Sequence, residues 1–292
     1  MTDDPARHPQ LTFSQRYGLE AVPTMLSFKD IPATLQEDLF NTLQVSCQEC
    51  SEQAELASDI WMHFFHEPIT DIPRVDLGRG ISISKLLRDK RLDFKIRQEK
   101  FHVYSDPRIY DLVEFVYASE YAQSIRQPLQ EGVNRDFKRN FASVKMIDGL
   151  IAPVSDEEQS HAIEAAMQGP LADVNSQVHT ALALLADREH PIYRDSVKNS
   201  ISAVESLCKH IVGDSRLTLE DALKKVGPTA VPVHPAIKDA FRKLYAYAGD
   251  VARHGLMGFD NLDVEDARYM LVTCSAFINY LVVKADKAGI RL

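Results

Sequence analysis

The adjacent residues Arg253 and His254 are the part of this sequence best suited to chemistry. They lie near the end of a segment with helical apolar periodicity, residues 234–255. An arginine guanidinium is a permanent cation, and a histidine imidazole gains or loses a proton near neutral pH. Neutralising a phosphate and moving a proton are the requirements for cleaving a phosphodiester. The alternative is a structural role at a helix end, in which the pair caps carbonyl groups or contacts Asp250.

One such pair supplies a base or an acid, whereas the cleavage of a phosphodiester uses both. Two copies of the pair at one phosphate would supply both groups, so we expect a homodimer through the C-terminal residues, with both pairs lining one groove. A polar stripe at helical spacing could form the second wall of this groove, and a solvated surface is its alternative interpretation. The stripe consists of Lys198, Ser202, Glu205 and Lys209.

The segments around the pair have the most regular helical patterns in the chain. Apolar residues recur in steps of four and three over 193–213 and again over 263–281. Stripes of this kind are typical of antiparallel helix bundles. The longer connection between the two segments includes a predicted short helix at 218–226.

The N-terminal half is also predicted to be helical, with one exception. Leu35, Leu39 and Leu43 begin a helix that we expect to be capped by Thr34 and to continue through Trp61. Residues 137–154 instead predict two short strands joined at Asp148-Gly149, a favourable hairpin turn. The sequence therefore predicts a mainly α protein with two domains, residues 1–154 and 155–292, and a small β-hairpin at the end of the first.

A zinc site and other cofactor sites are not expected. Cys47, Cys50, His63 and His66 nearly match a zinc-finger spacing. On one continuous helix, however, Cys47 and His63 would be roughly 24 Å apart. One zinc ion needs all its ligand atoms within about 2.3 Å.

Composition limits the classes of partner. The net charge of −9 argues against avid, non-specific nucleic-acid binding. A local basic stretch at 85–100 is either a solvated helix face with internal ion pairs or a patch that faces RNA or a protein partner. The chain shows no signal peptide and no apolar run of the ~20 residues that span a bilayer. We therefore expect a cytoplasmic protein with reduced cysteines and no membrane contact.

Several segments resemble a known family. SVKNSISAVESLCKHI, HPAIKDAFRKLYAYAGDVARHG and ARYMLVTCSAFINYL resemble, in this order, the HEPN domain at the C-terminus of AbiJ-like abortive-infection proteins. FSQRYGLEAVPTMLSFKDIPATLQEDLFNTL and YDLVEFVYAS resemble the domain that precedes it in those proteins. The resemblance covers nearly the whole chain and implies a C-terminal bundle of four or five helices.

The resemblance also implies an activity. Many HEPN domains are dimeric, metal-independent ribonucleases with an arginine followed, after four to six residues, by a histidine. This chain lacks that spacing, and the adjacent Arg253-His254 resembles the AbiJ-like members. The implied function is an antiphage effector that cleaves RNA through Arg253 and His254, with a protein partner or phage trigger acting on the N-terminal domain. The alternative is an inactive HEPN module that binds RNA or a partner protein as a sensor or scaffold.

Overall fold

A computed structural model of the chain describes residues 26, 31–74, 81–91, 106–154, 156–187, 192–226, 231–253 and 262–292. For residues 250–253 it describes the backbone alone. The chain divides into two compact units, Met1–Ile151 and Ala152–Leu292. The prediction of a mainly helical protein with one small hairpin is confirmed.

Unit 1 is a group of helices packed around one apolar core, with a two-stranded hairpin at its end. Its α-helices are α1 (Ala33–Gln48), α2 (Gln53–Asp59), α3 (83–91), α4 (Arg108–Ala118) and α5 (Arg126–Arg139). A π-helical turn (Ile60–Phe64) continues α2, and 3₁₀ turns cover Ile69–Asp71 and Glu120–Ile125. The strands are β1 (Lys145–Ile147) and β2 (Leu150–Ala152).

Helix α1 is shorter than its apolar pattern predicted. Leu35, Leu39 and Leu43 are buried as expected, but the helix begins at Ala33, so Thr34 does not cap it. It ends at Gln48, and a turn separates it from α2. At this turn the Cys50 thiol donates to the carbonyl oxygen of Tyr121, a long-range contact that the local pattern does not encode. The expectation of one continuous helix through Trp61 was therefore wrong.

The hairpin forms at the predicted turn. Asp148 has φ 46° and Gly149 has φ 84°, the two positive values that a tight turn between strands requires. Asn134 of α5 fixes β1 in place, because its amide oxygen accepts from the Met146 N–H at 2.8 Å and its amide nitrogen donates to the Met146 carbonyl at 2.9 Å.

Unit 2 is a helix bundle. Its helices are α6 (Glu157–Met167), α7 (Ala172–Ala186), α8 (Tyr193–Val212), α9 (Leu219–Lys225), α10 (Pro235–Arg253) and α11 (Val264–Lys287). Helix α8 packs against α7, α9, α10 and α11, and α11 also packs against α6 and α7.

Side-chain hydrogen bonds give the directions of these helices. Ser196 donates to the Ala181 carbonyl at 2.7 Å and His210 contacts Asp173 at 3.0 Å, so α7 and α8 are antiparallel. Asn279 of α11 donates to the Ala162 carbonyl of α6 at 2.9 Å. The predicted apolar stripes of α8 and α11 face the core: Val197, Ile201, Val204, Cys208, Ile211, Ala267, Leu271, Cys274, Ile278 and Leu281 are buried.

Two caps begin α6 and α11. Asp156 accepts the Gln159 N–H at 2.9 Å and starts α6. Asp263 and Asp266 form a reciprocal capping box at the start of α11. Among the described residues, no helix combines the length and the apolar character that a membrane crossing requires.

Candidate functional site

The candidate site lies in unit 2, at the C-terminal end of helix α10. Arg253 is the last residue of α10. His254 lies outside the described residues, as do the side chains of Arg253 and Asp250. Helix α10 is held against α11 by the Phe241 and Phe277 rings, whose centroids are 3.5 Å apart with an interplanar angle of 14°. The structure therefore gives the backbone position of Arg253 and the surroundings of the helix that carries it.

Two tyrosines and three carboxylates gather where α8 and α11 begin. Tyr247 of α10 hydrogen-bonds Asp266, and its pKa is raised by partial burial and by the charges of Asp266 and Asp263. The pKa of Tyr193 is raised by burial and by the charges of Glu265 and Asp263. Both phenols therefore stay protonated at neutral pH and serve as hydrogen-bond donors.

An open groove of about 630 Å³ follows α10 toward this end. Arg242 in the groove is bound to Asp239 at 2.9 Å and lies 3.9 Å from Glu220 of α9. Lys243 is exposed, with no ion pair to any described residue. The other lining residues are Tyr245, Ala246 and Gly249. Sequence reasoning did not select Arg242 and Lys243, although their position on one helix with Arg253 was available from the pattern of charges.

The polar stripe of α8 does not converge on one point. Glu205 and Lys209 form an ion pair at 2.6 Å within the helix, and both are half-buried. Lys198 is exposed and Ser202 is half-buried. Lys198 and Lys209 are separated by about 16 Å of helix, since each residue adds ~1.5 Å. The stripe thus has the length of a groove wall rather than of a single phosphate site.

Two cations in the described part of the basic stretch, Lys90 and Arg91, are structural. Lys90 is only 8% exposed, pairs with Glu67 at 3.1 Å and lies over the Trp61 ring, 4.7 Å from its centroid. Arg91 forms an ion pair with Glu37 of α1. These two cations hold α3 in unit 1, so neither the solvated-face nor the RNA-patch interpretation applies to them. Residues 92–100 lie outside the described residues.

The cysteines and histidines of the zinc-like spacing lie in different environments. The argument from one continuous helix no longer applies, because the chain turns between α1 and α2. Burial, together with nearby Cys50, raises the pKa of Cys47 to about 12. His63 and His66 are exposed. Across the described ranges, no three side chains of metal-ligating type converge.

Comparison with known families adds the decisive observation. The family described as AbiJ N-terminal domain 4 matches residues 11–168, more than half of the chain. The chain belongs to this family. Its membership relates it to abortive-infection proteins. Neither the curated proteins nor the solved structures include a significant match.

The AbiJ N-terminal domain match does not end at the boundary between the units. It continues through α6 to Gln168, whereas unit 1 ends at Ile151. Helix α6 buries Ser160, Ile163 and Ala166 and packs against α7 and α11 of unit 2. The family match therefore includes the first helix of the C-terminal bundle.

The AbiJ N-terminal domain also has a cleft of its own. This cleft of about 310 Å³ is bordered by α2, the π-helical turn and Tyr121. Asp59, at the end of α2, accepts a hydrogen bond from Ser119 at 2.5 Å. The other residues that line the cleft are Ala54, Glu55, Ser58, Met62, His63 and Ile81.

Proposed function

We propose that the protein is an abortive-infection effector whose C-terminal unit is HEPN-like and cleaves RNA without a metal ion. The supporting observation is that Arg253 is the last residue of α10, the helix whose residues Arg242 and Lys243 line the groove. Membership in the AbiJ N-terminal domain 4 family supports the biological context. The adjacent His254 supplies the group that moves protons.

The proposed reaction is an attack of the RNA 2′-hydroxyl on the neighbouring phosphate. His254 accepts the hydroxyl proton while water donates a proton to the leaving 5′-oxygen, or His254 donates that proton while water accepts the hydroxyl proton. Arg253 neutralises the phosphorane through two hydrogen bonds. The products are a 2′,3′-cyclic phosphate and a 5′-hydroxyl, and DNA is not cleaved because it lacks the attacking group.

The groove along α10 would hold the flanking phosphates. Arg242 is largely neutralised by Asp239 and Glu220, whereas Lys243 is available to pair with a phosphate. Lys198 and Ser202 of α8 remain proposed contacts. Unit 2 is proposed to form a homodimer, which would double the number of RNA-binding ends.

A second candidate function is supported by a specific feature of the sequence. Residues 258–260, which follow Arg253 after the four to six residues usual for HEPN ribonucleases, include no histidine. An inactive HEPN module would use the same groove to bind RNA, or a partner protein, as a sensor or scaffold. The two candidates differ in chemistry but share the surface.

Incubation of the purified protein with total RNA in excess EDTA separates the candidates. The enzyme is expected to give fragments with 2′,3′-cyclic phosphate and 5′-hydroxyl ends. His254→Ala and Arg253→Ala should each lower the rate by roughly 10²–10⁴-fold at an unchanged melting temperature. His161→Ala, at an exposed histidine of α6, and Arg216→Ala, at an exposed loop arginine, are the matched controls that should retain the rate.

Two other results are informative. RNA binding without cleavage, measured by fluorescence anisotropy, would support the inactive module. The absence of both RNA binding and cleavage would contradict the ribonuclease and the RNA-binding module, and would favour a module that binds a partner protein. Unfolding of the His254→Ala protein would assign the pair a structural role instead.

A further inference from the structure

Helix α11 has an outward face that carries no charge over most of its length. Its central residue is Ala276, which is exposed. Tyr269 and Val283 are 59% and 53% exposed, the highest values among the large apolar side chains described in unit 2. The face is completed by Val272, Thr273, Asn279 and Tyr280, all half-buried. At about 100° per residue, all seven positions lie within about 60° of Ala276 around the helix axis.

This face is symmetric about Ala276. Tyr269 lies seven residues before Ala276 and Val283 lies seven residues after it. Val272 and Tyr280 lie four residues before and after it. In each pair a large side chain corresponds to a smaller one, and the central residue is small.

The charges that border the face follow the same symmetry. Exposed Glu265 and Lys287 lie eleven residues before and after Ala276, one at each end of the face. Arg268 and Asp286 lie on one edge of the helix, and Asp266 and Lys284 lie on the other, each about 80° from Ala276. On the first edge Arg268 donates to the Pro153 carbonyl, and Asn279 beside it donates to the Ala162 carbonyl of α6. On the second edge Asp266 is hydrogen-bonded to Tyr247 of α10.

We propose that α11 packs antiparallel against α11 of a second copy of this chain, around a two-fold axis at Ala276. In this arrangement Tyr269 packs on the partner's Val283 and Val272 packs on the partner's Tyr280. Ala276 meets the partner's Ala276, where a small side chain allows the helix axes to approach to ~8–10 Å. The two large side chains alternate with the two small ones across the interface, as close packing requires.

Electrostatics selects the antiparallel direction over the parallel one. The antiparallel pair places Glu265 opposite the partner's Lys287, Arg268 beside the partner's Asp286, and Asp266 beside the partner's Lys284. The last two pairs have an axial offset of about 3 Å, which long side chains can span. A parallel pair would place each charged residue beside the identical residue of the partner, and like charges repel. It would also align the two helix dipoles unfavourably.

This interface would set the distance between the two candidate RNA-binding sites, one in each chain. Val264 lies twelve residues from Ala276, so the two α11 N-termini would be about 36 Å apart along the paired helices. Each RNA phosphate would then meet the Arg253-His254 pair of one chain, and water would take the acid or base role that a second pair would supply in a shared groove. The arrangement is an alternative to the expected groove lined by both pairs.

Disulfide trapping tests the geometry directly. Helix axes ~8–10 Å apart place the two Cα atoms of residue 276 about 3–5 Å from each other, which overlaps the range for a disulfide. Ala276→Cys should therefore form a covalent dimer in a glutathione redox buffer. The native cysteines Cys47, Cys50, Cys208 and Cys274 are buried, so the unmodified protein should stay unlinked.

Tyr269→Cys is the matched control, since its two copies would be about 21 Å apart in the antiparallel pair. It should not link to itself, but it should link to chains carrying Val283→Cys when the two proteins are mixed. Self-linking of Tyr269→Cys at the rate of Ala276→Cys would instead demonstrate a parallel pair and overturn the proposal. A monomeric unmodified protein in sedimentation velocity would overturn it as well.

Disruption of the interface gives an independent readout. Ala276→Asp should weaken dimerisation at least 10-fold. The helical content and the melting temperature of the monomer should stay unchanged. Ala240→Asp, at an exposed position of α10, is the control that should leave the dimer unchanged. Equal dimerisation of the Ala276→Asp and unmodified proteins would contradict an interface at this face.

Discussion

The hairpin turn of unit 1 shows how one residue can satisfy two constraints. Gly149 has φ 84°, a value that an L side chain adopts only with strain. A Cβ atom added there would also overlap the ring of Tyr117 from α4. The backbone conformation and the close approach of the tyrosine both require glycine.

Gly149→Ala is expected to lower the free energy of unfolding by about 2–4 kcal/mol, because it combines backbone strain with a steric overlap. Gly213→Ala is the control, since Gly213 has φ 74° but nothing within 4 Å of an added Cβ. That change should cost only about 1 kcal/mol. Urea unfolding of both variants measures the difference, and equal losses would show that the Tyr117 ring moves aside freely.

The sequence predicted individual residues well where the determinant was local. Asp148-Gly149 was identified because the turn needs positive φ at two consecutive positions. The helix N-caps were harder to predict, because several residues near a helix start carry side chains that can accept hydrogen bonds from the same N–H groups. Pro32 precedes α1, where Thr34 was the predicted cap.

Among helices, the closest contact described in unit 1 is that between α1 and α5. A Cβ atom added at Gly132 would lie 2.6 Å from the Thr42 methyl carbon. The Thr42 hydroxyl donates to Asp136 at 2.6 Å. Burial raises the pKa of Asp136, the Thr42 hydrogen bond opposes this rise, and the charge of Asp38 adds to it. Thr42 therefore limits the separation of the helices and also partners a buried carboxyl group.

Gly132→Ala is expected to destabilise unit 1 by about 1–3 kcal/mol, because the overlap with Thr42 outweighs the gain in helix propensity. In a Thr42→Ser background the methyl group is absent and the hydroxyl remains. There the same change should be neutral or stabilising by up to about 1 kcal/mol. A double-mutant cycle by thermal or urea unfolding measures the coupling, and additive effects would exclude the overlap as the cause.

At the scale of elements, apolar periodicity predicted α8 and α11 because each buries a continuous stripe. It did not predict the turn between α1 and α2, where the Cys50–Tyr121 contact overrides the local pattern. It also assigned the wrong environment to Lys90, whose burial depends on Trp61 and Glu67. For the site, the sequence predicted that Arg253 ends a helix, but the groove beside Arg242 depends on how α9 meets α10.

Over the whole molecule, the division into units and the family match disagree about α6. The match to AbiJ N-terminal domain 4 includes this helix, whereas its packing places it in unit 2. Ile163 and Ala166 of α6 are fully buried. Removing α6 would expose the surfaces of α7 and α11 that it covers.

We therefore expect a fragment of residues 152–292 to fold, and a fragment of residues 169–292 to lose cooperative unfolding. The shorter fragment lacks the apolar burial of α6 and leaves Asn279 without the Ala162 carbonyl. Circular dichroism melting and binding of a hydrophobic dye distinguish the two fragments. A sharp, equal transition for both would show that α6 belongs energetically to unit 1.

The symmetric face of α11 also determines how the protein would respond to genetic change. At a two-fold interface every substitution is present twice, so a local loss of about 1 kcal/mol becomes about 2 kcal/mol for the dimer. That corresponds to a roughly 30-fold change in dissociation constant from a single codon. A substitution at Tyr269 could then be compensated by a second substitution at Val283, because these two positions contact each other across the interface. Ala276 contacts only the partner's Ala276, so no other position in the chain could compensate a substitution there.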